Sequence, residues 1–200
     1  MLDADDWYYP KKLEFQFKFM ENNPDTTLLS SAIGVTNKEQ ELFRVIKPVK
    51  EIQFFKFKDY HNYKMIPHAS SIIRVEKIRD DLSYNYSLKL SQDQDFLRRL
   101  LINKKYAFDP NVQYIYNREE SFSFNKYILS KKFTFKSLHS NNTPNGSLII
   151  FTLVSFLKIF YVLLLKLTNN IQKLNKNLGR EPENDEINKY TENLKLTHFE

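Results

Sequence analysis

The chain has 200 residues, enough for one domain with a sizeable core, and its 42% hydrophobic and 15% aromatic content argues against wholesale disorder. The absence of cysteine excludes disulfides, thiolate metal sites and cysteine nucleophiles, while only 3 glycines leave no Gly-rich phosphate loop or dinucleotide fingerprint. The net charge of +6 comes from basic residues interspersed with acidic ones, which forms no long basic block and also suits a protein near anionic lipid head groups.

The chain opens on Met1-Leu2 and then places three carboxylates, Asp3, Asp5 and Asp6, within four positions, directly before Trp7-Tyr8-Tyr9-Pro10. An Asp-x-Asp pair at the end of a short apolar strand sets two hard oxygen donors side by side. That arrangement suits Mg²⁺ or Mn²⁺ held jointly with a substrate diphosphate. Acidic triplets also cap helices or sit on solvated surface, so the triplet alone leaves both readings open. Residues 11–22 read as a helix, with Tyr9, Leu13, Phe17 and Met20 at helical spacing and Asn22-Asn23-Pro24 ending the run. Residues 27–35, nearly all apolar, read as a central strand, and 36–60 as a connection with one or two short elements. Within it, Phe54-Phe55-Lys56-Phe57-Lys58 invites a nucleic-acid reading of stacking plus phosphate contacts. The plainer reading is a half-buried strand with its lysines on the wet face.

Met65 to Arg74 reads as a turn then a strand, Val75 to Ile78 as a short helix, and Tyr84-Asn85-Tyr86 as a loop. Ser91 is the expected N-cap of a helix over 92–102, with Phe96, Leu97, Leu100 and Leu101 on one face. Residues 106–110 and 112–116 are strand-like and joined through Pro110-Asn111. The expected organisation is a catalytic unit over 1–130, a linker over 131–147, an apolar helix over 148–168 and a polar tail over 169–200. The Ser/Asn/Thr/Pro/Gly-rich stretch from 137 to 147 is the clearest part of the linker. Leu148 to Leu165 is near the minimum that spans a bilayer, but Lys158 in its middle would cost about 2.5–3.5 kcal/mol there. A spanning helix, an interfacial helix and a core-covering helix therefore all stay open. In the tail, Leu178-Gly179-Arg180-Glu181-Pro182 resembles a short stretch of bacterial sigma factors, although proline followed by acids is also simply a helix start.

Asp3-Ala4-Asp5-Asp6-Trp7, Pro10-x-x-Leu13-Glu14-x-Gln16, Asn23-Pro24-Asp25 and Leu28-Leu29-Ser30-Ser31 together resemble the second half of a family 2 glycosyltransferase domain. The resemblance implies an α/β fold, an incomplete GT-A domain followed by the C-terminal apolar helix. Because the family places Asp-x-Asp midway through the domain, it further implies a C-terminal part lacking the N-terminal nucleotide-binding half, and so inactive by itself. The implied reaction is transfer of a sugar, with inversion, from a nucleotide-diphosphate donor to a glycan or lipid-linked acceptor. The implied setting is the cytoplasm, with the inner face of the cytoplasmic membrane as a candidate surface and no nucleic acid as partner.

The resemblance also assigns residues. Asp3 and Asp5 would handle donor and metal, with Mn²⁺ or Mg²⁺ as cofactor. Gln92-Asp93-Gln94-Asp95-Phe96-Leu97-Arg98 resembles the family's acidic motif, whose first Asp is the base that deprotonates the acceptor, so the role falls on Asp93 with Asp95 supporting. Both acids also simply favour the positive end of a helix dipole. His68 is a candidate acceptor or phosphate contact. Arg118, in the loop after the last core strand, is the best donor-phosphate clamp, ahead of Arg74 and Arg98, for which surface pairing is the simpler account. The rival classes are a non-catalytic remnant or interaction module of the same fold and a basic nucleic-acid-binding protein.

Overall fold

A computed structural model describes residues 6–47, 49–57, 66–78, 82–117, 123–171, 173–174 and 179–197. Among the described residues the architecture is α/β, with a mixed six-stranded sheet and five α-helices. Two long parallel strands form its centre, β2 (Thr26–Thr36) and β6 (Lys105–Asn117), paired from Thr26↔Lys105 to Thr36↔Asn117. The free edge of β6 is covered in tandem by two short antiparallel strands, β1 (Trp7–Tyr8) and β4 (Gln53–Phe55). That of β2 is covered by β3 (Leu42–Ile46) and β5 (Ile72–Ile73). Every residue of β2 is buried, as a strand enclosed by neighbours and covered on its faces requires.

The two strand-like segments at 106–110 and 112–116 are one strand. Pro110-Asn111 is a bulge within it, because the pairing steps from Ser31↔Asp109 directly to Ala32↔Val112. Fully buried Asp109 satisfies the kink, accepting hydrogen bonds from Asn111 N at 3.1 Å, Asn111 Nδ2 at 2.7 Å and Gln113 Nε2 at 3.2 Å.

The helix α2 (Gln92–Leu101) buries the expected face, with Phe96, Leu97, Leu100 and Leu101 packing on Leu28, Phe57 and Tyr106. Phe57 is buried and Lys56 exposed, as the half-buried reading of that run requires. The helix α1 (Lys12–Asn22) departs from expectation. It buries Lys12, Gln16 and Met20, and leaves Leu13 52% and Phe17 59% exposed. The reason is polar: Gln16 Nε2 donates to Ser70 O at 2.8 Å and Lys12 Nζ donates to Gln16 Oε1 at 2.8 Å, so this row meets the 66–71 turn. Burial pushes the Lys12 ammonium pKa down.

The C-terminal third holds more helix than its composition suggests. Most of the expected linker is helix, because α3 spans Phe124–Ser140 and only a short turn separates it from α4 (Asn145–Leu167). Leu138, Leu148 and Phe151 pack these two helices together. Of the two readings open for the polar tail, a weak helix or a loose stretch, residues 184–197 form a helix. Arg180 exchanges two backbone hydrogen bonds with Val45, at 2.9 and 3.1 Å. Gly179 before it has φ of 127°, and a Cβ there would meet Val45 O at 2.3 Å, so only glycine fits. The helix α5 (Asn184–Thr197) then delivers Tyr190, 4% exposed, into a core with Tyr9, Val45 and Ile115. Its ring lies 5.8 Å from Trp7, and its hydroxyl donates to Gln40 O at 2.6 Å. Leu194, one turn further on, packs partly against the same core, and two such positions on a helix rich in Asn, Glu and Lys are a weak periodic signal. Tyr190→Ala is expected to lower the unfolding free energy by about 3 kcal/mol, read by urea titration. An unchanged midpoint would show that α5 contributes nothing to the fold.

Candidate functional site

The site is organised around the end of β6. Asp6, the third carboxylate of the opening triplet, is 7% exposed. Its Oδ2 accepts from the Tyr114 hydroxyl at 2.5 Å and its Oδ1 from the Asn117 amide at 2.9 Å. Asp6 is thus engaged in holding the start of the chain to the last turn of β6. The Oδ1 atom of Asn117 is buried there without a hydrogen-bond partner. Asp3, Asp5 and Arg118 lie outside the described residues; Asp5 and Arg118 are the covalent neighbours of Asp6 and Asn117.

Beside this point sits the turn that carries His68. Ser70, fully buried, donates to Ser31 O at 2.9 Å, accepts from Ser31 N at 3.2 Å and lies 3.1 Å from Ser30 Oγ, which locks the turn onto the middle of β2. Ala69 packs in the same cluster as Ile33 and Tyr114. The partner of Asp6 and the neighbour of His68 therefore border one hydrophobic cluster.

Asp93 and Asp95, two residues apart on α2, have opposite environments. Asp93 is half-exposed in the first turn, and its Oδ2 accepts from Gln94 Nε2 at 2.9 Å, while the same amide donates to Ile66 O at 3.0 Å. Gln94 thereby fixes both the carboxylate and the entry to the His68 turn. The Tyr84 hydroxyl lies 3.4 Å from His68 Nε2, and its ring stacks on Phe96 at 4.9 Å. Burial holds the His68 imidazole below its ordinary pKa, opposed by the negative field of Asp93. Burial and then Asp93 push the Tyr84 phenol up. His68, Tyr84 and Asp93 thus form one electrostatically linked group.

Asp95 is fully buried and faces α3. It accepts from Arg99 Nε at 2.9 Å, Ser137 Oγ at 2.6 Å and Asn141 Nδ2 at 3.4 Å. Its place is in the joint between α2 and α3, on the interior side of the helix that Asp93 leaves. Ser91 occupies the N-cap position but caps nothing with its side chain: at φ 62° its hydroxyl instead lies 3.3 Å from Ser130 Oγ. Arg74 donates to the backbone carbonyls of Met20 and Thr26, tying α1 to β2 rather than waiting for a phosphate. Sequence reasoning missed Gln94, Tyr84, Asp6 and Asn117. Only the position of Gln94 between two acids marked it, since a fixing amide has no pattern of its own.

Over 174 residues, 80% of this chain, the sequence is 33% identical to an uncharacterized glycosyltransferase of Methanocaldococcus jannaschii. The relationship is to a glycosyltransferase. The chain spans 58% of the length of that relative. No protein-family model matches the chain.

The linked group makes a prediction about pH. The fold favours neutral His68, so its stabilising contribution is complete above about pH 6.5 and is lost as pH falls through the lower, folded midpoint. A nuclear magnetic resonance titration should place His68 below its ordinary pKa. Asp93→Asn removes the one opposing charge and should move it lower still. A midpoint that is unmoved or raised in Asp93→Asn would separate the two residues.

Proposed function

We propose that this protein takes part in sugar transfer as a family 2, GT-A type glycosyltransferase, from a nucleotide-diphosphate donor to a glycan or lipid-linked acceptor with inversion. The observation that carries the reading is the contrast at α2 in a chain related to a glycosyltransferase. Asp93 is held by an amide at the surface beside His68 and Tyr84, whereas Asp95 is locked inside. In this reading Asp93 removes the proton from the acceptor hydroxyl as its oxygen attacks the anomeric carbon and the nucleoside diphosphate departs from the opposite face. Gln94 aims the base. Neutral His68 offers hydrogen bonding to acceptor or phosphate without repelling a cation. Asp95 is a positioning residue that fixes α2 on α3.

The donor set we propose for a hard divalent cation is the Asp3 and Asp5 pair. Asp6 is already occupied by Tyr114 and Asn117, which leaves Asp3 and Asp5 as the paired carboxylates, with donor phosphate oxygens to complete the shell. Mn²⁺ or Mg²⁺ bound there would neutralise the charge that develops on the leaving diphosphate. Arg118 is the proposed partner of the donor phosphates. The setting we propose is the cytoplasmic side of a membrane, consistent with the exposed apolar surface of α4.

The test compares three proteins, each joined to the N-terminal nucleotide-binding half that the resemblance implies, in a transfer assay with labelled nucleotide sugar. Asp93→Asn should reduce transfer about 10²–10⁴-fold with donor binding and unfolding midpoint nearly unchanged. Asp95→Ala should instead cost about 3 kcal/mol of stability, because it strands Arg99 and Ser137. An Asp93→Asn enzyme within a few-fold of the parent would place the base elsewhere.

A further inference from the structure

Outside the site described above, a cavity of about 380 Å³ opens where α2, α3 and α4 meet. Three cations line it, one from each helix: Arg98, Lys131 and Lys158. No Asp or Glu among the described residues does so. Ser147 also lines it from the first turn of α4, where the helix dipole adds positive potential. Like charges gathered around one cavity repel, and the cost shows at Lys131, whose pKa is lowered by burial and then by the charge of Lys158. An anion in the cavity would relieve that repulsion.

The same cavity is continuous with apolar surface. Ile150 and Val154 line it and are also 63% and 42% exposed, opening onto a face of α4 that includes Ile149, Leu153, Leu157 and Phe160. At about 1.5 Å per residue the 23-residue helix is roughly 34 Å long, and its mean hydropathy over the most apolar window is 2.6 with only 22% of that window buried. An exposed apolar face of this length is a membrane or partner surface rather than ordinary solvated protein. The chemistry that matches both features at once is an anionic head group joined to hydrocarbon. We propose that this cavity binds the phosphate of an anionic phospholipid, with α4 lying in the plane of the membrane interface and its exposed apolar face in the acyl region. Lys158, costly at the middle of a spanning helix, then sits on the flank of an interfacial one, at head-group level. The site is separate from the transferase reading and stands or falls without it.

The test is co-sedimentation of the full chain with vesicles of phosphatidylcholine alone or mixed with phosphatidylglycerol. The proposal predicts preference for the mixed vesicles. Lys131→Gln combined with Lys158→Gln should weaken that binding about thirtyfold, at roughly 1 kcal/mol per cation, and leave the weak phosphatidylcholine binding unchanged. Lys38→Gln with Lys50→Gln removes the same charge from exposed loops elsewhere and should change binding by less than about threefold. Lys158→Gln alone, at an exposed position, repeats the test with no buried residue altered and should weaken binding about fivefold. Equal losses in the two double variants would reduce the site to general charge attraction and overturn it. So would binding of inorganic phosphate that depends on Lys131 and Lys158 without any vesicle preference, or self-association through α4 in place of vesicle binding.

Discussion

Asp6 is buried at the end of β6, where each of its carboxylate oxygens accepts a hydrogen bond, from the Tyr114 hydroxyl and the Asn117 amide. A buried carboxylate without such partners costs several kcal/mol, so the pairing fixes the entry to β1 at the end of β6. Trp7 and Tyr8 then pair with Ile115 and Tyr114, and Tyr9 enters the core that α5 closes. The beginning of the chain, the end of the longest strand and the last helix are thereby brought into one place. Tyr114 carries this further, because its ring shares a cluster with Ala69 beside His68.

Two glutamines perform the corresponding work for the turn that carries His68. Gln16 of α1 donates to Ser70 O, and Gln94 of α2 donates to Ile66 O. Helices on either side of the turn thus grip its two ends through backbone carbonyls, while Ser70 fastens its middle to β2. A turn held this way presents its imidazole in a fixed place, which is what a binding group needs if affinity is not to be lost in ordering it. The same economy explains why α1 turns its polar row inward and leaves Leu13 and Phe17 outside.

What could be read in the sequence divides along physical lines. Dense apolar signals were legible: the buried strand at 27–35, the face Phe96-Leu97-Leu100-Leu101, and the apolar helix expected over 148–168 and found over 145–167. Elements decided by a few polar bonds were not. The inward row of α1 depends on one amide meeting one carbonyl, and the docking of α5 depends on Gly179 and Tyr190 in a charged stretch. The expected linker turned out helical because residues 124–136 are themselves helix-compatible, and only Asn141 to Pro144 break the run. For the site, the family resemblance marked Asp93 and Asp95 together, and only the structure separates them, one half-exposed and one sealed by Arg99, Ser137 and Asn141. The shared character of two acids in sequence says nothing about which side of a helix each one leaves.

If sugar transfer runs as proposed, the segment carrying Asp3 and Asp5 and the group formed by Asp93, Tyr84 and His68 serve one reaction centre. Paramagnetic broadening tests it most directly. In the protein joined to the N-terminal nucleotide-binding half that the resemblance implies, Mn²⁺ added with a nucleoside diphosphate should broaden the His68 imidazole signals, and Asp5→Ala should abolish the effect while leaving the His68 signal in place. Metal and nucleotide that bind through Asp5 without touching the His68 signal would contradict it, because the cation and the base would then lie too far apart to act on one sugar.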